Sequence, residues 1–242
     1  MIPGRISQKD GIESEVSIEG CNVLLEGTLN VPEGSTGIVL FAHGSGSSRR
    51  SPRNHTVAEV LQSKGTATLL FDLLTRAEEA VDEFTGQLRF NIPFLAERLI
   101  AATQWVMQRP DLQDLRIGYF GASTGAGAAL VAASRLPEVV RAVVSRGGRP
   151  DLAGDALRAV KAPTLLIVGG QDEPVIAMNR TALAILKCPE KKLIIVPGAT
   201  HLFEEPGTLE DVARIASTWF VRHLGAGGRA RSAAGGLAMK AE

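Results

Sequence analysis

One serine, one carboxylate and one histidine in this chain stand where their types and spacing could make and break a covalent bond. Gly121-Ala122-Ser123-Thr124-Gly125 reads G-x-S-x-G, directly after the apolar run Leu115–Phe120 and directly before the helical stretch Thr124–Arg135. A serine at a sharp strand-to-helix turn presents its hydroxyl above a sheet, and flanking glycines let neighbouring backbone come close. The hydroxyl is a weak nucleophile until a base takes its proton, and the base needs an orienting carboxylate. In an open parallel sheet, ligands bind beyond the carboxyl ends of the strands. The partners should therefore follow later strands, in the order serine, acid, histidine. Asp172 follows the run Pro163–Gly169, and His201 follows Lys192–Pro197. The pattern predicts Ser123 as nucleophile, His201 as base and Asp172 as the acid that orients it. Taken singly, Asp172 reads better as a turn former, with Glu173 a rival, and His201 reads as well as a surface-loop residue. His43, His55 and His223 are the other histidines. The joint order and strand-end placement carry the prediction.

Attack on a carbonyl puts negative charge on its oxygen, which needs N–H donors. One is expected from the backbone of Thr124, at the positive end of the helix beneath the serine. The second is expected from the loop Phe41–Ser48, "FAHGSGSS", where Gly44-Ser45-Gly46 makes the Ser45 N–H the best placed. His43 is read as an imidazole that fixes this loop. Neither "GSGSS" nor "GAGAAL" completes a phosphate-binding G-x-G-x-x-G, and no G-K-[ST] lysine follows them. Arg146, at the end of the run beginning at Arg141, is a candidate for holding an anionic substrate group, as is Arg149. The plainer alternative is loop arginines paired with Asp151 or water.

These residues need a scaffold, and the chain supplies one in alternating runs. "SEVSI" and "CNVLLEGTLNV", joined at Glu19-Gly20, suggest an antiparallel hairpin. After them, Val/Ile/Leu-rich runs at Gly37–Ala42, Thr66–Leu73, Leu115–Phe120, Arg141–Ser145, Pro163–Gly169 and Lys192–Pro197 alternate with helical patterns. The helices are expected near Asn54–Lys64, Ile92–Gln108, Thr124–Arg135, Val175–Leu186 and Leu209–Leu224, with a weaker stretch after Ser145. Continuous apolar runs imply strands buried on both faces, and regular alternation implies a parallel sheet wrapped by helices. Thr75–Asn91 is polar and falls outside this rhythm: a lid over the site or a solvated excursion. No linker divides residues 1–224, which are expected to form one domain. Residues 225–242 are Gly/Ala-rich and expected to be disordered.

The totals narrow the function classes. With 26 basic and 26 acidic side chains the 242-residue chain has no net charge, which points away from nucleic acid and anionic membranes as partners. Two cysteines, Cys21 and Cys188, make neither a disulfide framework nor a metal motif. The first residues lack a signal-peptide pattern, and no apolar run approaches the ~18 residues a membrane span needs. A cytoplasmic protein is expected.

The turn "GASTG", the loop "HGSG", the acid in "GGQDEPV" and the histidine in "PGATHLFEEPG" together resemble the α/β-hydrolase superfamily. They are most similar to its dienelactone hydrolase-like members, over roughly Cys21 to Leu224. The resemblance implies an α/β-hydrolase fold: about eight strands, mostly parallel, with a single antiparallel strand near the start and helices on both faces. It also implies no metal and no organic cofactor. Dienelactone hydrolases proper use a cysteine nucleophile where this chain has Ser123. A thiolate needs less help from a base than a hydroxyl does. The serine form leans more on His201 and Asp172 and resembles a general carboxylesterase. The expected reaction is hydrolysis of a small-molecule carboxylic ester through an acyl-enzyme, with small or aryl esters favoured because no separate helical cap is visible. Lactone, thioester or phosphotriester hydrolysis on the same triad is the alternative chemistry. A non-catalytic binding module is the alternative from another class.

Overall fold

Strands that are apolar at every position must be covered on both faces, and the computed structural model, which describes residues 12–225, shows that arrangement. In chain order the elements are β1 (Ile12–Gly20), β2 (Val23–Val31), β3 (Gly37–Ala42), α1 (Pro52–Ser63), β4 (Ala67–Phe71), α2 (Arg76–Thr85) and α3 (Ile92–Gln108). Then come β5 (Arg116–Ala122), α4 (Thr124–Arg135), β6 (Val140–Arg146), a 3₁₀ segment (Pro150–Ala159), β7 (Thr164–Gly169), α5 (Glu173–Ile185), β8 (Lys191–Val196) and α6 (Thr208–Leu224). The strands form one sheet in the order β1-β2-β4-β3-β5-β6-β7-β8. Only β2 runs against its neighbours, and every pair from β4 to β8 is parallel. The Gly/Ala-rich stretch expected to be disordered lies, beyond Gly225, outside the described residues.

Alternation along each strand splits the core in two. Val39 and Phe41 of β3 and Phe120 of β5 pack with Val57 and Leu61 of α1 and Trp219 and Phe220 of α6. Leu40 and Tyr119, one residue out of step, pack instead with α3 and α4 through Leu95, Leu99 and Leu130. The Tyr119 hydroxyl, buried with its ring, meets Thr103 Oγ1 at 2.6 Å, so no polar atom is stranded there. This sandwich makes β3, β5, β6, β7 and β8 a rigid floor whose carboxyl ends share one edge.

Two local expectations give way to tertiary structure. The hairpin turns at Cys21-Asn22, not at Glu19-Gly20: both residues have positive φ, 51° and 60°. That is the two-residue turn whose twist matches flanking strands. Gly20 stays in β1 because α3 passes there, and a Cβ on it would lie 2.6 Å from the Ala101 Cβ. Within Thr75–Asn91, residues Arg76–Thr85 form helix α2. Thr75 and Glu78 make a capping box at its start, and Gly86, with φ 63°, ends it in the left-handed conformation. Ala77, Ala80, Val81 and Phe84 recur at helical spacing, but that stripe faces solvent, and charge is what holds the helix. Asp82 accepts from the N–H groups of Leu88 and Arg89 and from Arg89 Nε, and Glu78 pairs with Arg98 of α3.

Candidate active site

Ser123 sits between the last residue of β5 and the first of α4, with φ 49° and ψ −122°. A side-chain-bearing residue held there stores on the order of 1–3 kcal/mol of strain, which surrounding contacts must offset. Hydrogen bonds supply part of that. Ser123 N donates to Arg146 O at 3.3 Å, and Arg149 N and Ala126 N donate to Ser123 O at 3.0 and 3.1 Å. The glycines supply the rest by letting backbone touch backbone. A Cβ on Gly121 would lie 2.4 Å from Ala126 Cα, and one on Gly125 would lie 2.2 Å from Ala42 O. The result is a half-exposed hydroxyl at the carboxyl edge of the sheet.

The next two loops along that edge are locked in the same way. A Cβ on Gly169 would lie 2.4 Å from Thr200 O, and Gln171 N donates to Ala199 O at 2.9 Å. Asp172 is the N-cap residue of α5, yet its side chain makes no capping bond. Its Oδ2 lies 2.6 Å from His201 Nδ1 instead. Because a carboxylate only accepts, Nδ1 carries the proton and Nε2 is left with a free lone pair. Glu173, the rival acid, is exposed in the first turn of α5. The His201 ring lies over Gly147, just past β6: its Cε1 would stand 3.7 Å from a Cβ on that residue. Its loop is held by Thr200 N donating to Glu205 Oε2 at 3.0 Å, which keeps the Glu205 carboxyl below its ordinary range, and by buried Phe203 at φ 57°.

On the other side of Ser123, Gly44 comes so close that a Cβ on it would lie 3.0 Å from the Ser123 Cβ. Thr124 is the first residue of α4, so its N–H has no acceptor within the helix. The Ser45 N–H is engaged: it donates to Thr124 Oγ1 at 2.9 Å. His43 ties this loop to the end of β4, accepting at Nε2 from Leu73 N and meeting Gly44 O through Nδ1, both at 3.0 Å. Burial lowers its pKa by penalising the charged imidazolium. His55 bonds Arg49 O within the α1 region, and His223 stacks on Trp219 far along α6.

Arg146 and Arg149, joined in the sequence reading, separate in the structure. Arg149 is clamped to Asp151 at 2.8 Å. Arg146 turns under the sheet edge towards α1, 7% exposed, with Nη2 3.5 Å from Asn54 Oδ1. Burial, then the nearby Arg53 charge, bring its pKa down to about 10.

Sequence reading missed the wall of the cavity beside this site. A cavity of about 120 Å³ lies against Ser45 and Thr124 and is also lined by Asp72, Glu79, Asp82 and Glu83. The three α2 acids were hidden with their helix, although the Thr75-x-x-Glu78 capping signature stands in the sequence. Arg49 was missed as well. It binds Asp72 through its N–H and Nη1 at 2.6 and 2.5 Å and reaches Glu26 and Glu15, pinning the exit of the Ser45 loop. Among the described residues there is no cluster of three or more His, Cys, Asp or Glu able to hold a metal, and no helix long and apolar enough to cross a membrane.

Comparison with known proteins finds relatives of this chain. The model of the "Dienelactone hydrolase family" matches residues 25–220. A dienelactone hydrolase from Anabaena variabilis ATCC 29413, known as a crystal structure, is 62% identical with a TM-score of 0.87, covering 88% of this chain and 99% of that one. "Putative phosphoribosyl transferase Rv0571c" of Mycobacterium tuberculosis (strain ATCC 25618 / H37Rv) is 58% identical over 214 residues, 88% of this chain but 47% of its own length. The chain thus spans about half the length of the curated relatives it matches. Est1E from Butyrivibrio proteoclasticus, solved with ferulic acid bound, has a TM-score of 0.72 at 17% identity, covering 86% of this chain and 98% of that one. At that identity the likeness is one of fold.

Proposed function

The chain belongs to the dienelactone hydrolase family, and from that premise we propose that it is a serine hydrolase cleaving carboxylic esters through an acyl-enzyme. Ser123 Oγ bonds to the ester carbonyl carbon while His201 Nε2 takes its proton. The displaced electron pair rests on the carbonyl oxygen, held by the N–H groups of Thr124 and Ser45. That pair returns, the bond to the alcohol oxygen breaks, and the alcohol leaves with the proton from Nε2. Water then gives a proton to Nε2 and attacks the acyl carbon, and Ser123 leaves reprotonated, freeing the carboxylic acid. Asp172 holds the ring in the tautomer that makes Nε2 the base and stabilises the imidazolium.

The observation that carries this reading is the 2.6 Å bond from His201 to an Asp172 side chain spared from capping. A cap would be the ordinary use of such an aspartate. Small or aryl esters are the proposed substrates: the cavity beside the oxyanion donors is about 120 Å³, and the Est1E fold holds an aryl acid. The test is Ser123→Ala with p-nitrophenyl acetate, together with labelling by a fluorophosphonate. Turnover should fall by about 10⁴-fold or more, and the label should attach at Ser123. Wild-type turnover in the variant, or an unlabelled wild-type protein, refutes the reading.

A second reading, lactone opening on the same groups, is favoured by the Anabaena dienelactone hydrolase, which the match covers almost whole. Lactone kcat/KM above that for aryl esters by orders of magnitude would select it. Arg146, 7% exposed and turned towards Asn54, does not line the cavity beside Ser45 and Thr124, so the proposed reaction assigns it no contact with substrate. The transferase name belongs to a longer relative, of which this chain matches less than half.

A further inference from the structure

The Ser45 N–H and the Thr124 hydroxyl join segments 79 residues apart in the chain. They also join the two groups that the hydrolase reading uses to hold the oxyanion. We propose that the Thr124 side chain is a positioning group for that oxyanion site: its hydroxyl holds the Ser45 N–H in place in the free protein and yields it as charge develops on the substrate oxygen. The role rests on the serine-hydrolase reading above.

Thr124 is buried, 5% exposed, and fixed at the first position of α4, whereas Ser45 lies exposed in a loop with glycines on both sides. Glycine neighbours leave the Ser45 peptide free to rotate, and Gly46 takes φ 68°. The bond to Thr124 Oγ1 is what aims that peptide plane at the elbow. A threonine hydroxyl is a neutral acceptor, comparable to the carbonyl of an intact ester, so the N–H gains little by leaving it for the ground-state substrate. An oxyanion forms a charge-assisted bond roughly twice as strong. The exchange therefore favours the transition state over the bound substrate, and such an interaction acts on kcat and not on KM. The hydroxyl proton of Thr124 has no acceptor among the described residues, so the same group can turn and donate once its lone pair is released.

Thr124→Val keeps the shape and removes the acceptor. With p-nitrophenyl acetate, kcat should fall about 10- to 30-fold, less than the ~10²–10³ of losing a donor outright. KM should stay within about twofold, and the fluorophosphonate labelling rate, which also builds charge at that oxygen, should fall in parallel. Thr124→Ser, which restores the hydroxyl, should return kcat to within about threefold of wild type. Thr124→Ala makes the same deletion should the valine variant fold poorly. The role is overturned if kcat in both deletions stays within twofold of wild type, if the loss appears in KM alone, or if Thr124→Ser is as impaired as Thr124→Val. A wild-type protein that fluorophosphonate does not label overturns the hydrolase reading and this role together. A labelled wild type with an unaffected Thr124→Val overturns only the role.

Discussion

Around Ser123 the backbone itself is the packing surface, while across the adjoining cavity α2 is held by side-chain charge. At the elbow, Gly44, Gly121, Gly125 and Gly169 each sit where a Cβ would meet other residues at 3.2 Å or less. At α2, Asp82 with Arg89 and Glu78 with Arg98 tie the helix to its neighbours. Its outer face is left to solvent, with Phe84 91% exposed. Backbone contacts of that kind have no rotamers to relax into, so the geometry of the elbow is over-determined and can hold Ser123 in a strained conformation. α2 hangs instead on two ion pairs, in which Asp82 and Arg98 are buried. The floor of the site thus rests on backbone contact and its α2 wall on side-chain charge.

The largest expected effect lies on the rigid side. Asp172→Asn should lower ester turnover by about 10⁴-fold by favouring the wrong histidine tautomer, with a thermal midpoint close to wild type. A loss under tenfold in kcat would break the proposed link between the His201 loop and the chemistry. Next is the elbow itself. Gly125→Ala forces a Cβ to within 2.2 Å of Ala42 O and should cost over ~3 kcal/mol, the tail of mutational effects, seen as a lower denaturant midpoint or as insoluble protein.

Acid should separate the two regions. Burial holds the pKa of His43 below 6.5, so its neutral, hydrogen-bonded form contributes fully above about pH 6.5. That contribution is lost as pH falls from there through the depressed folded value. Burial pushes the Asp82 carboxyl up, but Arg89 and two backbone N–H groups outweigh it and hold its pKa below 3.8. Its contribution persists to lower pH and is lost only as pH falls through that depressed value. Hydrogen exchange read between pH 7 and 4 should show Leu73 and the Gly44–Ser47 loop losing protection before Leu88 and Arg89. The opposite order would break the contrast.

Gly86→Ala, with a positive φ but nothing nearer than 3.8 Å, should cost about 1–2 kcal/mol, well under Gly125→Ala. Urea midpoints compare the two directly, and equal losses would show that close approach is not what distinguishes them. Phe84→Ser should be smallest, within ±0.5 kcal/mol, and a larger change would mean that α2 packs more tightly than its exposure implies.

The buried strands were legible because a run such as Gly37–Ala42, buried at every position, must be covered on both sides. The elbow was legible because G-x-S-x-G between a strand and a helix is a local signature. α2 was not, since its short apolar stripe faces solvent and its anchors, Arg89 and Arg98, lie outside it. The Cys21-Asn22 turn was misplaced by two residues because Gly20 looked like the turn residue, while the real demand on Gly20 is the passage of α3.

By itself, then, the sequence determined the layered α/β architecture, the sharp turn at Ser123 and the order of serine, acid and histidine. Each was read from runs and motifs that are themselves only a few residues long. Only tertiary structure decided that Asp172 and not Glu173 meets His201, that Arg146 is buried beside Asn54, and that the Ser45 N–H is held by the Thr124 hydroxyl. Those are choices of partner between segments 29 to 92 residues apart. A side chain's partner is set by which loops the sheet brings to one edge, and no local pattern encodes that.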